Sequence, residues 1–390
     1  MGHRNYWCIF IFQLVFIGTT VTHSQTPQPG GSNADLQLKG ASPLHAPSEM
    51  VGYDRGFYIT DNQSLFHLTI NGMTKTRFNL QGDESVENAA GTAPVASRTY
   101  HASFSVPFAR LQLSGHVFSK QLKYNLFYNF PNSKLIYAWV AWQFIPEKLV
   151  VKSGLFKRPF GRGYLTSSVK RQFIDAPLGM AGMGSDIGVE LANCYTSVRG
   201  LEWAIGVFNG TKGADGDFSP NITARLGYNN GISGYAETDF EGGGFRYGVG
   251  INGATEFDHD DNSGTVHYLG GDAAVKVHGL SASGAVYFTA NAEKNIGDGF
   301  ELARIGGHVQ AGYLIQNRVE PVLRYGFSHA RHVKDDFEQE FTGGLVLHFF
   351  PGHRFKWEND ITVRHTPPVH RNAQPALTDT LFVSQLQLYF

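Results

Sequence analysis

The feature that most constrains the fold is the end of the chain, where apolar and polar residues alternate up to a terminal phenylalanine, Phe390. About 16 segments with this period-two pattern follow one another along the chain, each bounded by Gly, Asn, Asp or Pro. No stretch keeps a helical period over similar lengths. Because lipid offers a backbone no water to bond, only helices and closed barrels span a membrane. We therefore predict an all-β fold, an antiparallel transmembrane β-barrel of about 16 strands.

The connections between these segments alternate between long and short. In a barrel whose chain ends on the periplasmic side, the connection after each odd-numbered strand is an external loop. Long connections follow the first, fifth and seventh segments, at residues 81–102, 157–186 and 209–220. One connection, residues 229–244, breaks the rule because it falls where a tight turn is expected. We expect either a shifted strand boundary or a decorated turn there.

The N-terminus has the pattern of an export signal. Arg4 precedes an apolar run over residues 6–21, and small residues follow before Gln25. A membrane anchor is the weaker alternative, because the run is shorter than a spanning helix and Gln13 interrupts it. We predict a signal peptide over residues 1–24, a flexible periplasmic leader over 25–52, and a barrel over 53–390 in the outer membrane of a Gram-negative bacterium, in contact with its lipid.

Composition excludes several other classes of protein. Lys and Arg total 32 against 33 Asp and Glu, so bulk charge does not attract nucleic acid. Cys8 lies in the signal, and Cys194 alone cannot form an internal disulfide. The histidines are scattered, and residues 258–262, although rich in Asp, lack the glycine and glutamate of a calcium loop. We predict no metal, no cofactor and no enzymatic activity.

Alternation also sorts charges between the two faces of each strand. The faces opposite the apolar ones carry more basic than acidic residues, the acids being Glu202, Glu320, Glu358 and Asp360. Basic rings in a pore favour anions. The alternative is that these basic residues pair with the acids and only solvate the interior. The predicted lumen-lining basic residues are Arg110, Lys123, Lys152, Arg225, Arg246, Lys276, Arg304, Arg324, Lys356 and Arg364.

The most specific stretch lies in the third predicted external loop, where residues 154–168 read GLFKRPFGRGYLTSS. With RLQLSG at 110–115 and DIGV at 186–189, it resembles the phosphate-selective porin O and P family. The resemblance implies a homotrimer of 16-stranded barrels in which the third loop folds inward and narrows the channel. It also implies an anion site, for which the chain offers Lys157, Arg158, Arg162, Lys170 and Arg171. The alternative role of the motif is architectural, with Pro and Gly shaping the loop.

These features together predict an outer-membrane porin for passive diffusion of small hydrophilic solutes, biased toward small anions such as phosphate or polyphosphate. A general, non-selective porin of the same fold is the alternative. A barrel enzyme such as a lipase needs a Ser, a His and a polar orienter on the lipid-facing rim, which the face assignment does not provide. An adhesin would rest on loops such as 81–102. We predict that Phe390 is an assembly signal, recognised through the last strand by the barrel-assembly machinery.

Overall fold

The structure is a computed structural model, which describes residues 50–87, 95–180, 183–197, 199–211, 219–257, 264–292, 301–330, 336–367 and 377–390. The predicted signal peptide, residues 25–49 of the predicted leader and the Asp-rich stretch 258–262 lie outside the described residues. Among the helices that the structure describes, none is long and apolar enough to cross a membrane.

In the described part of the chain, eighteen strands join a single antiparallel sheet. Their bounds are β1 Val51–Tyr53, β2 Phe57–Thr60, β3 Phe66–Glu87, β4 Val95–Val117, β5 Leu122–Asn129, β6 Lys134–Ile145, β7 Leu149–Lys157, β8 Ser185–Ala192, β9 Gly200–Phe208, β10 Asn221–Asn230, β11 Arg246–Glu256, β12 Thr265–Val277, β13 Leu280–Ala292, β14 Glu301–Tyr313, β15 Val319–Ala330, β16 Phe337–Phe350, β17 Phe355–Thr366 and β18 Leu377–Tyr389. One short helix, α1, covers Arg162–Leu165.

The last sixteen strands, β3 to β18, form a closed barrel. Each strand pairs with the next one, and β18 pairs with β3 from Thr380↔Gly82 to Tyr389↔Met73. Closure leaves no unpaired edge, as a sheet in lipid requires. The predicted 16-stranded antiparallel barrel is thus confirmed.

The seam of the barrel is completed by a short hairpin, β1 and β2. Strand β2 pairs with β3 from Phe57↔Ile70 to Thr60↔His67, just beyond the point where β18 ends. Phe390 and Gly72 exchange backbone hydrogen bonds of 2.8 and 3.0 Å. The Phe390 ring lies over Gly72, where a Cβ would come within 2.3 Å of it. The terminal phenylalanine therefore fits at the seam because residue 72 has no side chain.

Each strand separates an outward apolar face from an inward polar one. In β18, Leu386 and Leu388 are exposed, whereas Gln385 and Gln387 are fully buried. In β15, Leu323 is 70% exposed and the neighbouring Arg324 is buried. An outward belt of exposed apolar side chains around a polar interior is the pattern of a barrel in lipid.

The prediction that residues 81–102 form the first external loop is wrong. Strands β3 and β4 continue far beyond the predicted ends, and their register runs unbroken from Arg77↔Ser105 to Glu87↔Val95. The period-two apolar signal stops in this stretch because its sequence, QGDESVENAAGTAPVASRTYHA, contains few large apolar residues. Most of residues 81–102 form a paired β-ribbon.

Most other connections follow the predicted alternation, and residues 130–133, a short turn between β5 and β6 at the long-loop end, do not. At one end of the barrel the turns are short, as between β12 and β13, where His278 and Gly279 both have positive φ. Positive φ at both central residues is typical of the tightest hairpin turns. At the opposite end, β7 and β8 are joined by a long segment, residues 158–184, which we call loop 3. The connection between β10 and β11, residues 231–245, is long although it lies at the short-turn end.

Candidate functional site

Loop 3 is anchored to the barrel wall by the motif that the sequence singled out. Phe160 is fully buried, and its ring lies 5.8 Å from that of Tyr287 on β13 and 6.4 Å from that of Tyr268 on β12. The N–H of Gly161, a residue with a φ of 70°, donates to Asn252 on β11 at 2.8 Å. These contacts show an architectural role for the aromatic and glycine positions of the motif.

The following part of loop 3 runs along the inner side of later strands. Gln172 donates to Ser281 on β13 and to Glu320 on β15 at 2.7 and 2.6 Å. The N–H of Ile174 donates to Asp360 on β17 at 2.8 Å. Phe173 packs against Val322 and Val346 in a small buried cluster. Loop 3 therefore contacts inward side chains well inside the barrel.

Residues 231–245, which we call the inner segment, meet loop 3 from the short-turn end. The hydroxyl of Thr166 donates to the carbonyl of Tyr235 at 2.8 Å. Glu237 is bound twice, since its N–H donates to the carbonyl of Lys170 at 3.0 Å and its carboxylate accepts from the N–H of Gln172 at 2.7 Å. The connection that broke the length rule is a decorated turn that braces loop 3.

Together, loop 3 and the inner segment cover one part of the barrel interior. Many inward residues on β8 to β18 are almost fully buried, among them Glu190, Glu202, Arg225, Asn252, Asp272, Ser281, Glu320, Thr342, Lys356 and Gln385. Several inward residues on β4 to β7 stay partly exposed, namely Arg110, Gln112, Phe127, Tyr137, Trp139 and Lys152. The accessible inner face is therefore the one formed by β4 to β7.

Two of the predicted anion-site residues are neutralised by acids in the covered part. Arg162 lies 3.7 Å from both Glu202 and Asp272, and these two carboxylates also hold Arg225, which is completely buried. Arg158 lies 3.6 Å from Glu256. Paired charges of this kind stabilise the seating of the loop and leave little net charge for a passing anion.

Most of the predicted lumen-lining basic residues are also paired. Arg324 and Arg364 share Glu340, and Lys276 donates to the carbonyl of Thr238 in the inner segment at 2.9 Å. Lys123 is exposed on the inner face beside His116. The remaining pairs are Lys152–Glu190 at 2.6 Å, Arg246–Asp239 at 2.7 Å, Arg304–Asp336 at 3.7 Å and Lys356–Glu358 at 2.7 Å.

Four basic residues form a different kind of group, which we call the basic cluster: Lys75, Arg110, Lys157 and Arg171. Within the described ranges, none of the four lies within 4.0 Å of a carboxylate oxygen. Lys157 interacts with Arg171 and Arg110 as like charges. Lys75 interacts with the same two arginines and, beyond ion-pair distance, with Glu358. Positive charge is thus concentrated beside the accessible face.

Neutral oxygen atoms of loop 3 hold the basic cluster together. Lys75 donates to the carbonyl of Ser168 at 3.0 Å, and Arg110 donates to the hydroxyl of the same residue at 3.2 Å. Lys157 donates to the carbonyls of Tyr164 and Thr166 at 2.6 and 3.1 Å. Because carbonyl and hydroxyl oxygens carry no net charge, these bonds position Lys75, Arg110 and Lys157 without neutralising them.

Tyr164 adds a neutral donor next to the basic cluster. Burial raises the pKa of its hydroxyl above the usual value, while the Ser185 hydroxyl and the nearby Arg158 and Arg171 act in the opposite direction. The phenol stays protonated at neutral pH, and Lys157 lies 5.0 Å from the centre of its ring.

The structure brings together only part of what the sequence proposed. Lys157, Arg171 and Arg110 share the basic cluster, Arg158 and Arg162 are paired elsewhere, and Lys170 is exposed on loop 3. Sequence reasoning missed Lys75, although it lies in a predicted strand with the same parity as Arg77. The described residues contain no group of three or more His, Cys, Asp or Glu suited to a metal ion.

Comparison with solved structures shows the porin fold. An anion-selective porin from Comamonas acidovorans is 13% identical in sequence to this chain and superposes with a TM-score of 0.55. The match covers 83% of this chain and 99% of that chain. The outer membrane channel DcaP of Acinetobacter baumannii has 14% identity, a TM-score of 0.53, and 83% and 97% covered. The trimer form of OmpT, an outer membrane protein of Vibrio cholerae, has 9% identity, a TM-score of 0.52, and 83% and 99% covered.

At the level of sequence, comparison with curated proteins gives no match. The family described as phosphate-selective porin O and P, in contrast, matches residues 75–390. That range includes almost the whole barrel, from Lys75 of the basic cluster to the terminal Phe390. The chain therefore belongs to the phosphate-selective porin O and P family.

Proposed function

We propose that the protein is a channel in the outer membrane of a Gram-negative bacterium through which small anions diffuse passively. The observation that carries this proposal is the basic cluster, which sets four basic side chains beside the accessible face of β4 to β7, with no carboxylate of the described residues at ion-pair distance. Loop 3 faces that wall and narrows the passage next to it. A fixed positive charge at a narrow point lowers the electrostatic cost of an entering anion and raises that of a cation.

Phosphate is the finer candidate, and membership of the family supports it. Arginine forks and lysine ammonium groups are the side chains that bind phosphate oxygens best. A general, weakly selective porin is the second candidate. It is favoured by the ion pairs that neutralise most other basic residues of the lumen, such as Lys152 with Glu190.

Assembly and membrane contact complete the proposal. The outward belt of exposed apolar side chains suits outer-membrane lipid. A homotrimer is proposed from the resemblance to the family and from the trimer form of one similar barrel. Phe390 at the seam is proposed as the signal that the barrel-assembly machinery reads, and no catalytic role is proposed.

The experiment is the reversal potential of single channels in a KCl gradient, repeated after addition of phosphate. We expect anion selectivity, and we expect the triple variant Arg110→Gln, Lys157→Gln and Arg171→Gln to lose it. Lys123→Gln is the matched control, because Lys123 is an inward basic residue outside the basic cluster. Phosphate that reduces the chloride current of the wild type, but not that of the triple variant, supports phosphate binding there. A wild-type channel without anion selectivity refutes the proposal and leaves a general porin.

A further inference from the structure

The cations beside the accessible face rest on aromatic rings. The Arg110 guanidinium lies 3.5 Å from the centre of the Phe108 ring and 5.5 Å from that of Phe127. Lys75 lies 5.2 Å from the centre of the same Phe108 ring. An aromatic face attracts a cation and replaces part of its water shell. The basic cluster is therefore less hydrated than four free surface charges would be.

The aromatic rings continue along the same wall. Phe127 and Tyr137 face each other across β5 and β6 with ring centres 5.6 Å apart. Farther along, Lys152 lies 5.8 Å from the centre of the Trp139 ring and 4.7 Å from that of Phe156. Phe127, Tyr137 and Trp139 point inward and are partly exposed, so they offer ring surface to a solute in the passage.

The basic cluster keeps N–H groups for a solute. Lys157 uses two of its three N–H groups on loop carbonyls, and Arg110 donates to Asn129 and to Ser168. Lys75 is fully buried and donates to Ser168. Arg110 has five N–H groups and uses two of them on these described partners, so its guanidinium can still donate to the two oxygens of a carboxylate.

From this combination we propose that the channel also binds aromatic carboxylates, with the carboxylate at the edge of the basic cluster beside Arg110 and the ring against Phe127 and Tyr137. The inference rests on the proposed anion channel and adds a solute class to it. Offset-stacked and edge-to-face ring pairs add attraction beyond the burial of area, which an aliphatic ring of equal size does not gain.

The test compares three anions as blockers of the chloride current through single channels at pH 7.5: benzoate, cyclohexanecarboxylate and phosphate. Benzoate and cyclohexanecarboxylate have one charge and similar size, and only benzoate has an aromatic ring. We expect half-block by benzoate at a concentration about three- to tenfold lower than by cyclohexanecarboxylate, the factor that an aromatic contact supplies. Bilayers without protein, treated with each anion, control for partition into lipid.

Variants separate the inference from the proposed function. Phe127→Leu and Tyr137→Leu should remove the preference for benzoate and keep chloride selectivity, whereas Phe341→Leu, on the lipid side, should change neither. Recovery of folded barrels by heat-modifiability on gels shows whether each variant is assembled. Equal block by benzoate and cyclohexanecarboxylate in an anion-selective channel overturns the inference alone, whereas block by phosphate tests the finer part of the proposed function. Loss of anion selectivity in the wild type overturns the proposed function itself.

Discussion

Tyr235 is the residue through which the inner segment is fixed to the covered part of the barrel, and its hydroxyl can be removed without removing its ring. The hydroxyl donates to Glu202 at 2.6 Å and accepts from Arg225 at 3.2 Å. The ring lies 4.1 Å from the guanidinium of Arg162. Tyr235→Phe therefore deletes two hydrogen bonds to charged groups and leaves the packing in place.

The expected loss of stability depends on which contacts Glu202 and Arg225 keep when the Tyr235 hydroxyl is removed. Arg225 still donates to Asn252 and Asp272 at 2.6 Å, whereas Glu202 keeps Arg162 and Arg225 only at ion-pair distances of 3.7 and 3.6 Å. Of the two deleted bonds, the one to Glu202 is therefore lost without replacement. A bond of this class contributes about 1.5–3 kcal/mol, and we expect Tyr235→Phe to lower the free energy of unfolding by that amount. Tyr235→Ala also empties a buried ring site, and the expected loss rises to about 3–5 kcal/mol.

Urea-induced unfolding in detergent micelles, followed by tryptophan fluorescence, measures both variants. Tyr228→Phe is the matched control, because Tyr228 lies on the same strand as Arg225 but is exposed on the outward face. We expect a change of about 0.5 kcal/mol or less for the control. Single channels of Tyr235→Ala should also be noisier, because loop 3 loses part of its brace. A Tyr235→Phe variant as stable as Tyr228→Phe would refute the assigned role of the hydroxyl.

Three further changes test other parts of the structure. Gly72→Val, whose Cβ would approach the Phe390 ring within 2.3 Å, should lower the yield of heat-modifiable folded barrel, whereas Gly271→Ala, with open space around it, should not. Glu358→Gln leaves the fully buried Lys356 without its carboxylate and should cost about 3–5 kcal/mol in the same urea assay, while Lys356→Met with Glu358→Leu should cost less than the single change. His353 is buried in the turn between β16 and β17, and burial, followed by Lys356 and His348, lowers its pKa well below the usual value. The unfolded chain therefore binds a proton that the folded chain does not bind. The free energy of unfolding is then at its full value above about pH 6.5 and falls by about 1.4 kcal/mol per pH unit below it. Thermal unfolding between about pH 7.5 and 5 should show that His353→Gln flattens this fall.

The fold could be predicted because its determinants are local. Alternation in β17 and β18 places Trp357 and Leu386 outward and Glu358 and Gln385 inward, and the structure has them there. The same parity rule placed the basic residues of the strands on the inner face. It failed beyond Leu80, where the sequence of residues 81–102 contains few large apolar residues and so gives no alternating signal.

The charge balance of the interior could not be predicted, because it depends on contacts distant in sequence. The N–H of Arg162 donates to Asp272, 110 residues away, and Gln172 reaches Glu320 across 148 residues. Asp272, Glu256 and Glu340 did not figure among the predicted lumen acids, although each one holds at least one arginine. Counting charges by strand face therefore overestimated the net positive charge of the lumen.

Loop 3 carries Arg162, which acids neutralise, and Arg171, which belongs to the basic cluster. The docking of Phe160 explains why the two arginines differ. Phe160 docks between Tyr268 and Tyr287, and this position places the next turn of chain, with Arg162, beside the acids of the covered part. Farther along, Lys356 donates to the carbonyl of Arg171 at 2.7 Å and fixes the backbone there, while one Arg171 N–H group donates back to the carbonyl of Gly163 at 3.4 Å. Two arginines nine positions apart therefore meet opposite environments, one neutralised and one not. Side-chain type alone cannot distinguish them, because the difference arises only when the loop is seated.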